Sequence, residues 1–86
     1  MQVRRLWLRV IIQAPPNVPK DVIRKVLIDS IQSGNYDLPR AVSATIEWRN
    51  KEDAPMKSGP WKEELEDSAT SSPGFERAVV SFLENW

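Results

Sequence analysis

The stretch Val3 to Ala14, V-R-R-L-W-L-R-V-I-I-Q-A, constrains the chain most. Leu6, Leu8, Val10, Ile12 and Ala14 alternate with Arg5, Trp7, Arg9, Ile11 and Gln13. Period-two alternation over this length is the signature of a β-strand. β-Branched and aromatic side chains suit a pleated surface. Pro15-Pro16 ends the run, because proline cannot donate to a ladder. A strand over 3–14 has one aliphatic face that must be covered. Its other face carries Arg5, Trp7, Arg9 and Ile11. A helix would instead place Arg4, Arg5 and Arg9 on one surface with Leu8 and Ile12, which fits worse.

The next segment predicts a helix over 19–33. Asn17 or Val18 sits at the cap and Pro19 opens the helix, where its missing N–H is harmless. Asp21 in the first turn suits the helix dipole. Val22, Ile23, Val26, Leu27 and Ile31 form the apolar stripe, with Ile28 at its margin; Arg24, Lys25, Asp29 and Gln32 point outward. Gly34 supplies the left-handed position that ends many helices. Tyr36 and Leu38, in the turn-rich stretch 34–40, are expected over the end of the core.

A second strand follows at 41–49. Val42, Ala44, Ile46 and Trp48 face the core, and Ser43, Thr45, Glu47 and Arg49 face water. The crossover of about 26 residues makes a parallel pair the default. Residues 50–60 hold two prolines and no periodicity, and read as an exposed loop. Pro60 then opens a short helix at 60–70, with Trp61, Leu65 and Ala69 four apart. Ser72-Pro73 opens a last helix at 73–86, with the stripe Phe75, Val79, Phe82, Leu83 and Trp86.

The resulting reading is a small single α+β domain over 1–86, in the order β-α-β-α-α, with a minimal sheet covered by helices. Two strands make a marginal sheet. A third strand within 50–58, or a second copy of the chain, is needed to complete it. A chain of 86 residues buries roughly 60–65% of its unfolded surface, so large aromatics weigh heavily.

Composition narrows the chemistry. The chain has no cysteine and no histidine, which removes disulfides, thiolate metal sites, the commonest general base and the commonest metal ligand. There is no Gly-rich phosphate loop, nucleophile elbow or dinucleotide fingerprint. The expectation is a protein that is not an enzyme and takes no cofactor and no metal. The acidic run Glu63, Glu64, Glu66 and Asp67 lacks a cation-loop spacing and reads as a solvated helix face near the dipole's positive end. Val10-Ile11-Ile12 is too short for a signal-peptide core, and no stretch approaches a membrane span, so a cytoplasmic location is expected.

Charge is zero overall but uneven. Residues 1–51 carry nine Lys/Arg and four Asp/Glu, and residues 52–86 carry three and eight, giving +5 against −5. Complementary packing of the two halves is the plainer explanation, and a basic binding face is the sharper one. Two functional readings follow. The favoured one is an accessory or regulatory protein that binds another protein, or a second copy of itself, through Arg5, Trp7, Arg9 and Ile11. The alternative is a nucleic-acid-binding module in which Trp7 stacks on bases and Arg4, Arg5, Arg9, Lys20, Arg24 and Lys25 hold phosphates.

Overall fold

The computed structural model describes residues 6–71 and 74–86, with the side chains of 69–71 left aside. Its elements are β1 (Trp7–Gln13), α1 (Lys20–Ser33), β2 (Ser43–Arg49), β3 (Lys57–Pro60), α2 (Trp61–Ser71) and α3 (Phe75–Glu84). The strands form one sheet in the order β1-β2-β3, antiparallel throughout. The protein is a small α+β domain, and the sheet has three strands rather than two.

The antiparallel pairing corrects the expected parallel one. Ser43 lies opposite Gln13 and Arg49 opposite Trp7, so β2 begins at the end of the sheet where β1 finishes. The reason is length. The 14 residues of α1 advance about 21 Å at 1.5 Å per residue. The irregular stretch 34–42 can span up to ~30 Å when extended. It brings the chain back to where it left, so α1 and its return path act as one long excursion between neighbouring strands.

β3 lies at the end of the stretch read as a loop. K-S-G-P has no alternation and poor strand propensity, and Lys57, Ser58 and Pro60 are exposed. Pairing with β2, with Thr45 opposite Pro60 and Trp48 opposite Lys57, makes it a strand. A Cβ at Gly59 would stand 2.3 Å from Glu64 Oε2, so a larger residue there would displace the Glu64 carboxylate.

Boundaries moved for local reasons. Pro19 is itself the N-cap of α1, and its carbonyl accepts from the N–H groups of Val22 and Ile23. Gly34 ends α1 at φ 75°, its N–H donating to the carbonyl of Ile31. Ala41 has φ 74°, so it cannot belong to β2, which starts two residues later than expected. α3 starts after Gly74; the expected start at Ser72-Pro73, and residues 3–5 of the first strand, lie outside the described residues.

All three helices feed one core. Val10, Ile46 and Trp48 meet Ile23, Leu27 and Ile31 of α1, Trp61 and Leu65 of α2, and Phe75, Val79 and Leu83 of α3. Each large apolar side chain taken out of water here contributes roughly 1.5–3 kcal/mol. The Trp48 and Phe75 rings meet edge-on at 5.0 Å. Both buried indoles satisfy their N–H: Trp61 donates to Ser30 Oγ at 3.1 Å and Trp48 to Glu64 Oε1 at 2.7 Å. Ser30 in turn donates to the carbonyl of Asn35 at 2.8 Å. Val22, placed in the stripe by spacing, is 48% exposed, because the buried face of α1 runs through Ile23, Leu27 and Ile31 and Val22 lies about 140° around the helix from Leu27. Tyr36 and Leu38 pack over the core as expected.

Candidate interaction surface

Alternation places Trp7, Arg9 and Ile11 on the face of β1 opposite Leu8, Val10 and Ile12. Register places them against Arg49, Glu47 and Thr45 of β2. The helices gather on the Val10 side, with α3 against β1 and α2 against β2 and β3. The second face of the sheet is therefore without a helix. Trp7 is 43% exposed and Ile11 41% exposed. The C-terminal helices do not cover these two residues, since Trp61, Leu65, Phe75, Val79 and Leu83 are taken up in the core with Val10, Ile46 and Trp48.

Arg9 sits between the two apolar residues and is not a free charge. It donates to Glu47 Oε1 through Nε at 2.9 Å and through Nη2 as well. Its guanidinium also lies 5.9 Å from the Trp7 ring centroid. The cross-strand pair turns the guanidinium toward β2 and leaves the outer side of β1 without a net charge. Sequence reading had both residues on outward faces, but only the register brings them together.

β1 is the end strand of the sheet, and among the described residues nothing pairs with its outer edge. It is seven residues long and contains no proline, glycine or lysine. Natural edge strands are usually blunted by short length, lysine, proline or a bulge. β3, at the opposite edge, is blunted in this way: four residues from Lys57 to Pro60. Along β1, Leu8 and Ile12 are only half-buried although they lie on the helix side, while Val10 between them is 5% exposed. A groove lies beside β1, lined by Leu6, Leu8, Ala78, Phe82 and Trp86 together with the polar Ser81 and Asn85.

The described basic residues of the nucleic-acid alternative, Arg9, Lys20, Arg24 and Lys25, are divided between the open sheet face and α1. Arg9 is on the open sheet face and paired. Arg24, expected to point outward, instead closes the end of α3: it donates to the carbonyls of Leu83 at 2.9 Å and Trp86 at 2.6 Å. Lys20 stands 4.6 Å from the Trp86 ring centroid. Lys25 is exposed on α1. Arg4 and Arg5 lie outside the described residues. The carboxylates of the acidic run on α2 differ in role, since Glu64 turns inward to Trp48. Among the described residues, no three or more His, Cys, Asp or Glu side chains are grouped so as to hold a metal ion. Ion pairing raises Lys62, whose ammonium donates to Asp37 Oδ1 at 2.9 Å. The Tyr36 hydroxyl donates to Glu76 Oε2, and this bond, with burial and the negative charge, pushes its pKa to about 12.

Comparison with known proteins brings no match, whether to family models, to curated proteins or to solved structures.

Proposed function

We propose that the protein is a non-enzymatic accessory or regulatory protein of the cytoplasm, acting by protein–protein interaction and in the first place by association with a second copy of itself. One observation carries this reading. Trp7 and Ile11 stand exposed on a long, unblunted edge strand whose single charge is neutralised within the chain. Exposed apolar side chains beside unpaired backbone donors and acceptors suit strand addition by another chain. Two copies of Arg9 set directly opposite each other would repel; set apart, each has its guanidinium held toward β2 by Glu47.

The nucleic-acid alternative has less in its favour. Its described cations are divided between the open sheet face and α1, and two of them are engaged with the end of α3. No described helix is long and apolar enough to cross a membrane, which fits a partner met in water.

The test is molar mass in solution across a concentration series, for wild type and Trp7→Ser. Burying about 100 Å² of still-exposed indole per copy, at ~25 cal/mol per Å², is worth about 2.5 kcal/mol. Wild type should move toward twice its 9.9 kDa mass as concentration rises. Trp7→Ser should need concentrations more than about tenfold higher, since 1.4 kcal/mol is a factor of ten. A wild type that stays monomeric up to its solubility limit overturns the reading.

A further inference from the structure

We infer that the second copy pairs with β1 in a single register, with Val10 on the two-fold axis, so that two three-stranded sheets become one of six. This rests on the self-association just proposed and adds to it which residues meet.

Symmetry restricts the choice. A two-fold axis perpendicular to a continuous antiparallel sheet keeps every residue on its own face. Directly opposed residues of antiparallel strands also share a face. The axis must therefore pass through a residue, never between two. For a strand of residues 7–13, only three centres give an overlap of five residues or more: Arg9 pairs 7–11, Ile11 pairs 9–13, and Val10 pairs all of 7–13.

Chemistry then separates the three. Centring on Arg9 sets Trp7 directly against the partner's Ile11, but it pairs only 7–11 and sets Arg9 directly against the partner's Arg9, where like charges are destabilising. Centring on Ile11 sets Trp7 against the partner's Pro15, beyond the end of the strand, and leaves the exposed indole without a ladder neighbour. Centring on Val10 sets Trp7 against the partner's Gln13 and Arg9 against the partner's Ile11 on the open face. It sets Leu8 against the partner's Ile12 on the helix side. Trp7 is then also the diagonal neighbour of the partner's Ile11, within reach of a large ring. The two Arg9 become diagonal neighbours as well, but each guanidinium is held toward β2 by Glu47. The half-burial of Leu8 and Ile12 on either side of buried Val10 fits the same arrangement.

The chain has no cysteine, so introduced thiols are the only ones present. Leu8→Cys and Ile12→Cys, which leave Arg9 and its Glu47 partner in place, are prepared separately, then oxidised mildly alone and as a mixture. Directly opposed strand positions bring Cα atoms to about 4.5–5.5 Å, within the range a disulfide spans. The mixed dimer should form roughly tenfold faster than either homodimer, because only it places two thiols opposite each other. Rapid cross-linking of Leu8→Cys alone or of Ile12→Cys alone, or no rapid cross-linking in any sample of dimeric mass, would mean a different centre and would overturn the register while self-association stands. A monomeric mass under the same conditions would remove both.

Unmodified protein provides the check that needs no substitution. In a lone three-stranded sheet, every second β1 amide points to solvent and exchanges quickly. The Val10-centred register predicts protection of these amides along the whole of 7–13, increasing with protein concentration. Protection limited to 7–11 or to 9–13 would assign Arg9 or Ile11 as the centre and reject Val10.

Discussion

The two phenylalanines, although on one helix, occupy different environments. Phe75 is 1% exposed against Trp48, whereas Phe82 is half-buried beside the β1 groove. Phe75→Ala should lower stability by about 3–5 kcal/mol, and Phe82→Ala by clearly less, measured as denaturant midpoints at constant slope. Equal losses would mean that the core is centred elsewhere. Ala41 carries a second local signature. Its φ of 74° strains a residue with a Cβ by about 1–2 kcal/mol. Glycine relieves the strain but adds about 0.4–1 kcal/mol of unfolded-state entropy. Ala41→Gly should therefore leave stability no lower and raise it by up to about 1.6 kcal/mol, the difference between those two terms. Tyr36 sets a pH dependence. Its folded pKa, about 12, lies above the ordinary 10.0, so the neutral hydroxyl is the form the fold favours. Its stabilising contribution is complete below pH 10 and is lost as pH rises toward 12. In Tyr36→Phe that alkaline decline should flatten, as followed by thermal unfolding between pH 9 and 12.

At the scale of elements, α1 and α3 are joined by more than their apolar stripes. Arg24 reaches from the second turn of α1 to the last carbonyls of α3, where a cation also meets the negative end of the helix dipole. Charged hydrogen bonds of this kind contribute roughly 1.5–3 kcal/mol. Arg24→Ala should lower stability by about that much. It should also speed amide exchange selectively at Leu83 to Trp86, where the Asn85 and Trp86 N–H groups donate back into the last turn. Uniform acceleration over the whole chain would show that Arg24 acts on global stability alone. β3 and α2 are joined differently. Gly59 makes room for Glu64, whose carboxylate holds the Trp48 indole N–H. A four-residue strand of poor propensity is thus tied to the core through the helix that follows it.

Across the whole molecule, the uneven charge is only partly resolved by pairing between the halves. Lys62 and Asp37 join them, while Arg9–Glu47 and Arg24–Asp21 lie within the first half. Described cations of that half gather in separate pairs, Arg9 and Arg49 on the open sheet face and Lys20 and Arg24 at the end of α3, whereas counterion release needs several at once along one nucleic-acid backbone. Single-stranded DNA and RNA should accordingly bind no more tightly than ~100 µM at 50 mM salt, the weak end of the non-specific range. Tighter binding that fell steeply with salt would restore the nucleic-acid reading.

The alternation of 3–14 and 41–49, the stripe of 19–33 and the spacing of Trp61, Leu65, Phe75, Val79 and Leu83 are local patterns, and each was legible in the chain itself. Periodicity reports which side of an element is apolar, because burial acts on every second or every third-to-fourth residue. It does not report direction or neighbour. Whether β2 returned parallel or antiparallel depended on how the irregular stretch 34–42 retraced the length of α1, and nothing in its composition encodes that path. Arg9 and Glu47 are 38 positions apart, so their pairing existed only once the register was set. β3 has no strand signal of its own and follows from β2 presenting an edge to a nearby extended segment. The exposed Trp7 and Ile11 were visible as a face from sequence. That this face is left open was decided by the tertiary structure, because all three helices found their apolar partners on the other side of the sheet.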